Sequence, residues 1–211
     1  MGELVRLSRG KPTNTLDEFL ARPPSSKTHI THLKPFALEM VGPVLYEATV
    51  PYFRKALENQ VKLLKKGQEW CQETGRDAAT LSSARLVDDM FPLPFHVTFC
   101  TFNVVQFLVD VGVTTAAPEA IVTDDRLSLD ELMARVERTL TVLDGVEAGK
   151  LAAKEEDAVK INLGNFSVER PALQYAQQIA GPSFWFHHTM VYSILRVAGV
   201  PLEKRFFLSA F

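Results

Sequence analysis

Apolar residues recur every three or four positions at Phe53, Leu57, Val61, Leu64 and Cys71, with lysine and glutamate between them. That period predicts an amphipathic helix over "VPYFRKALENQVKLLKKGQEWCQETG". Pro51 suits a first helical turn, where a missing N–H costs little, and Gly75 suits the C-terminal stop. A start near Pro43 with a kink at Pro51 fits the same pattern. The next periodic stretch, "FHVTFCTFNVVQFLVDVGV", is apolar nearly all round, which predicts a central helix. Its polar exceptions are informative: His96, Cys100, Asn103 and Asp110 fall with Phe107 on one stripe, facing water or a polar pocket. A third helix is predicted over "SLDELMARVERTLTVLDGV". It opens with a capping box, Ser128 to Glu131, and Leu129, Leu132, Val136, Leu140 and Leu143 form its apolar face. Glu131, Arg135, Glu137 and Arg138 read as its solvated face. The last helix is "GPSFWFHHTMVYSILRVAGV", with Pro182 in its first turn, Gly199 at its end and Pro201 beyond.

The segments between these helices carry turn signals. "RDAATLSSARLVDDMFPLP" reads as a connector with a short helix. It gathers Arg85, Asp88 and Asp89 just before a buried segment, with Arg85 and Asp89 at ion-pair spacing. In "VKINLGNFSVERPALQ", apolar residues alternate with polar ones on both sides of Gly164–Asn165, the signature of a β-hairpin. A brief helix follows from Ala172 to Ile179. The fold class is all-α: an up-down four-helix bundle with one short β-hairpin. Residues 1–42 differ, with Pro, Ser and Thr spacing, and read as an N-terminal arm with one short helix capped by Thr15 and Glu18. Residues 43–211 form a single bundle domain. No internal repeat is visible.

Composition then narrows the function classes. A chain of 211 residues suffices for one well-buried domain. The net charge of −2 offers no basic excess for nucleic acid or an acidic membrane surface. No apolar run approaches the roughly 18 residues that span a bilayer, and "MGELVRLSRGK" has no secretory core. Arg6 stands where a myristoylation motif needs Ser or Thr. A cytoplasmic location is the expectation. Cys71 and Cys100 make no disulfide framework and read as buried free thiols. Nucleotide-binding glycine motifs, a nucleophile elbow and zinc-finger spacing are all missing.

Four stretches, "LYEATVPYFRKALENQVKLL", "ARLVDDMFPLPFHV", "LDELMARVERTLTVLDGV" and "FWFHHTMVYSILRVAGVPLEKRFFL", together resemble the DUF1993 family. The family is grouped with the DinB/YfiT-like four-helix bundles, and the resemblance runs from about Leu45 to Leu208. DinB-like bundles often hold a divalent metal through three histidines, one on the second helix and an H-x-x-x-H pair on the last. His96 stands in the first of these places. After His187 and His188, however, the i+4 positions are Val191 and Tyr192. Adjacent histidines point about 100° apart on a helix and rarely share a metal. The resemblance therefore comes with a broken metal motif, and no metal or other cofactor is expected. Fungal relatives of this type occur in secondary-metabolite pathways, which implies cofactor-free ring closure, such as addition of a hydroxyl across an alkene of a prenylated aromatic.

The candidate catalytic residues are His96, His187, His188, Asp88, Asp89 and Tyr192. Ring closure needs a base for a hydroxyl proton and an acid for a carbon; histidine can take either role. Asp88 or Asp89 beside Phe91 and Phe95 would supply an acid if its pKa were raised. Tyr192 would orient the substrate. Tyr46, Phe53, Phe99, Trp185 and Phe186 would form a flat apolar wall, with Arg85 and Asn103 as polar contacts. The same histidines also fit a satisfied core role, and Tyr192 a surface one. The expected partner is an aromatic or apolar small molecule, with a homodimer as the expected assembly and neither nucleic acid nor membrane involved. Two rivals stay open: a metal-dependent DinB-like transferase, and a non-catalytic ligand-binding or dimerisation module. His29 and His32 on the arm read as solvated.

Overall fold

A computed structural model describes residues 44–208. The expected arm, with the short helix predicted from the Thr15 and Glu18 capping pair and with His29 and His32, lies outside the described residues. A short helix, α1 (Val44–Glu47), precedes the long α2 (Val50–Thr74), so the chain turns before Pro51 and Pro51 falls in the first turn of a new helix. Gly75 closes α2 in the left-handed conformation, with φ +67°, which glycine adopts without a Cβ penalty. The connector carries α3 (Ala79–Ser82) and leads into α4 (Leu93–Asp110). Next comes α5 (Leu129–Asp144), with Ser128 and Glu131 capping it reciprocally as the spacing predicts. α6 (Ala148–Ala152) leads to an antiparallel hairpin, β1 (Ala158–Asn162) and β2 (Ser167–Pro171). α7 (Ala172–Tyr175), α8 (Gly181–Val197) and α9 (Lys204–Leu208) complete the order.

The four long helices, α2, α4, α5 and α8, form the bundle. α4 packs on α8 and α5, and α2 packs on α5 and α8, so α2 and α4 sit across a diagonal although they follow one another in the chain. Residue pairings give the directions. Arg54 and Gln68 of α2 bond Asp144 and Asp130 of α5, so these two helices run oppositely. Tyr175 and His187 meet Asp110 and His96, so α8 runs against α4. Thr101 and Val105 of α4 share a hollow with Thr139 and Val142 of α5, so those two run the same way. The directions are up, down, down, up. The segment 111–128 must therefore climb the length of the bundle, and it does so along the α4–α5 groove.

That climb explains a departure from the sequence pattern. Arg135, assigned above to a solvated face, is 4% exposed. Its guanidinium donates to the carbonyls of Glu119, Ala120 and Thr98 and to the Thr101 hydroxyl. A fork of rigid donors satisfies carbonyls that a loop lying in a groove would otherwise bury unpaired. Burial holds the Arg135 pKa below its ordinary value. Glu137 and Arg138 are exposed as expected, and Arg138 pairs with Glu119.

The second departure lies before α8. Gly181–Pro182 reads as a helix start, but the helix runs in from α7 through a π-helical turn, Ala176–Ala180. A proline inside a helix clashes with the carbonyl four residues back, and a widened turn relieves that clash. The Gly181 N–H donates to the Ala176 carbonyl. A Cβ built on Gly181 would lie 2.7 Å from that oxygen, so the turn closes only over glycine.

A candidate histidine site between α4 and α8

α4 is central because nearly all of its faces are apolar, and this places its first turns against the middle of α8. Across that interface the Nδ1 atoms of His96 and His187 lie 2.9 Å apart and share a hydrogen bond, one ring donating and the other accepting. The accepting ring must be neutral, since a histidinium has no ring acceptor. Burial lowers the pKa of His96, with the Phe91 backbone partly opposing, and brings that of His187 down to about 4, with the neighbouring His96 contributing. The dyad is neutral at physiological pH. His96 Nε2 is buried with no hydrogen-bond partner. His187 keeps 9% of its surface exposed against 2% for His96, so His187 is the member that a ligand can reach.

Phenylalanines surround the pair. The Phe99 ring stacks on His187 at 3.9 Å between centroids, while Phe95 meets both histidines edge-on. Phe91 stacks on Phe95 and is half exposed; Phe186, next to His187, is 55% exposed. The dyad thus lies beneath an aromatic surface that opens to solvent.

The other candidates are distributed around the molecule. His188 points away from the dyad, as the 100° step between neighbours requires. It is fully buried, stacked with Phe184 and close to Phe207, and neither ring nitrogen has a partner. Burial brings its pKa down to about 4. The Tyr192 hydroxyl donates to the Leu202 carbonyl and its ring meets Phe207, which ties down the tail. Asp88 and Asp89 are exposed in the turn before α4, with no hydrogen bond to the histidines. Arg85 donates to the Met90 carbonyl, so the ion pair expected with Asp89 does not form. Tyr46 is half-buried against the core. Phe53 and Trp185 line a different hollow, of about 440 Å³, alongside α1.

Asn103 and Asp110, further along the α4 stripe, face a separate cavity of about 300 Å³ covered by the hairpin. Gln106 and Tyr175 join them there. Sequence reasoning passed over both. Gln106 lies within a helical turn of Asp110 and was legible; Tyr175 sits on another element, and only the fold brings it close.

A three-histidine metal site does not fit the described residues. Zinc sites with an open position use three protein ligands. His96 and His187 converge, but among the described residues no cluster of three histidine, cysteine or acidic side chains is placed to hold a metal. Cys100 is buried nearby on α4 and bonds weakly to the Phe184 carbonyl; burial pushes its thiol up to about 12, so it packs as a neutral thiol.

Residues 45–208 match the family model described as "Domain of unknown function (DUF1993)". The chain belongs to the DUF1993 family. Its fold is also that of a DinB family member protein from Shewanella denitrificans: the two are 28% identical, with a TM-score of 0.67 over 78% of this chain and 91% of that one. No curated protein matches. No helix among the described residues is long and apolar enough to cross a membrane.

Proposed function

We propose that this DUF1993 protein is a small-molecule enzyme that moves protons with the His96–His187 dyad, without a cofactor, on an apolar aromatic substrate. The supporting observation is the Nδ1–Nδ1 hydrogen bond beneath an open phenylalanine surface. When His187 donates from Nδ1 to His96, its Nε2 carries the lone pair and can take a proton. The ring is held neutral, as a base requires, and Phe99 fixes its plane. The proton taken from a substrate hydroxyl or an acidic carbon is returned to another atom of the same molecule. The net reaction is an isomerisation or ring closure, which balances without a co-reactant. Intramolecular addition of a phenol across the alkene of a prenylated aromatic is the finer form of this reading, in a fungal secondary-metabolite pathway.

The test is incubation of the purified full chain with a panel of prenylated phenols, followed by chromatography for products of unchanged mass. Conversion should be lost in His187→Ala and His96→Gln while their thermal melts stay close to the parent. Unchanged turnover in both variants, or turnover abolished by a chelator and restored by zinc, would overturn the proposal.

A further inference from the structure

The cavity under the hairpin is distinct from the dyad in its chemistry. Its polar groups are Asn103, Gln106 and Asp110 from α4 and Tyr175 from the end of α7, with Asn162 of β1 and Ser183 of α8 at its edge. Gln106 donates to one Asp110 oxygen at 2.7 Å and the Tyr175 hydroxyl donates to the other at 2.9 Å. These two bonds fix the carboxylate plane while leaving each oxygen with further acceptor capacity. Burial, with the neighbouring Asp110 adding to it, holds the Tyr175 phenol well above its usual range, so Tyr175 stays a donor. No lysine or arginine lines the cavity, and Asp110 has no ion-pair partner among the described residues. The Asn103 carbonyl oxygen is buried with no hydrogen-bond partner. Apolar walls complete the space, from Ile161 and Leu163 of the hairpin and Ile179 of the π turn.

A fixed carboxylate with no cation beside it in a half-apolar space calls for a donor that carries positive charge. We infer that this cavity binds a small organic ammonium ion, with the nitrogen at Asp110 and an aryl or alkyl body against Phe99 and Ile161. The volume is at the small end of ligand pockets and suits a single-ring amine. Phe99 lines this cavity and also stacks on His187, so an occupant would sit one ring away from the dyad. The inference concerns binding alone and does not depend on the dyad's chemistry.

The experiment is calorimetry of the full chain with 2-phenylethylamine hydrochloride and with 2-phenylethanol, which differ in the charged group. The amine should bind at least tenfold more tightly. Asp110→Asn should remove that preference, and Asn103→Leu, which places a branched apolar group in the cavity, should weaken the amine tenfold or more. Both variants are to be checked by circular dichroism; if Asp110→Asn does not fold, the parent comparison and Asn103→Leu decide. Equal affinity for amine and alcohol, no amine binding at millimolar concentration, or a preference that survives Asp110→Asn would each overturn the inference.

Discussion

His96 and His187 are 91 positions apart in the chain and meet through their Nδ1 atoms at 2.9 Å, inside the interface of the two most apolar helices. Nuclear magnetic resonance of the imidazole nitrogens should show His187 neutral from pH 8 to pH 6 and half-protonated near pH 4, with His96 titrating below the ordinary histidine value. An activity that uses neutral His187 should be flat across neutral pH and fall on the acid side. A limb near pH 6.5, the value of an ordinary histidine, would exclude His187 as the titrating base.

His188 gives a stability prediction whose sign is fixed. Its folded-state pKa is about 4, below the unfolded value near 6.5. Between those values the unfolded chain binds the proton and the folded chain does not, so stability falls as pH drops through this window and levels off below it. The loss amounts to ~3 kcal/mol for a shift of this size. Urea midpoints at pH 7.5, 5.5 and 4 should descend, and His188→Leu should remove this share of the descent while that of the His96–His187 pair remains.

The same substitution should raise stability at pH 7.5. Both His188 nitrogens are buried unpaired, and removing such groups recovers about 1–3 kcal/mol. A His188→Leu protein that melts lower than its parent would mean that the ring has a partner within the bundle.

Arg135 and Arg138 offer a matched pair on one helix. Arg135→Met leaves carbonyls of Thr98, Glu119 and Ala120 without their donor, at a cost of roughly 3 kcal/mol or more. Arg138→Met loses only an exposed pair with Glu119, worth about 0–1 kcal/mol. Denaturant midpoints should separate the two, and protease should cut within 111–128 first in the Arg135 variant. Arg135→Lys should not restore stability, because a single ammonium cannot reproduce the fork.

Gly181→Ala should destabilise by about 1–3 kcal/mol, since its Cβ would meet a backbone oxygen rather than a yielding side chain. Gly149→Ala, in open space on α6, is the control and should be neutral or slightly stabilising.

The sequence carried the local signals well and the cross-chain ones poorly. Gly75, the Ser128–Glu131 box and the 164–165 turn each act within a few residues, and each is where the pattern puts it. Arg135 was misread because its charge outweighed its place: it lies three positions after Leu132 and four before Thr139, both buried. The opposite facing of His187 and His188 followed from helix geometry alone. Which of them would meet His96 did not, because that depends on the π turn, and Gly–Pro by itself marks a helix start as readily as a widened turn. The Asp110–Tyr175 bond joins two elements whose proximity only the packed bundle determines.

The π turn also acts as a counter. On one side of it Tyr175 is pinned to Asp110, and on the other His187 is pinned to His96, both anchors lying on α4. Taking one residue out of Ala176–Ala180 would close the widened turn to an ordinary helical one and leave both anchors in register. Taking one out after the turn, between Gly181 and Phe186, would instead swing the later side chains by about 100° and bring His188 to face His96. The adjacent histidines are thus two settings of one dial, and the π turn is the place where a residue can be lost without moving it.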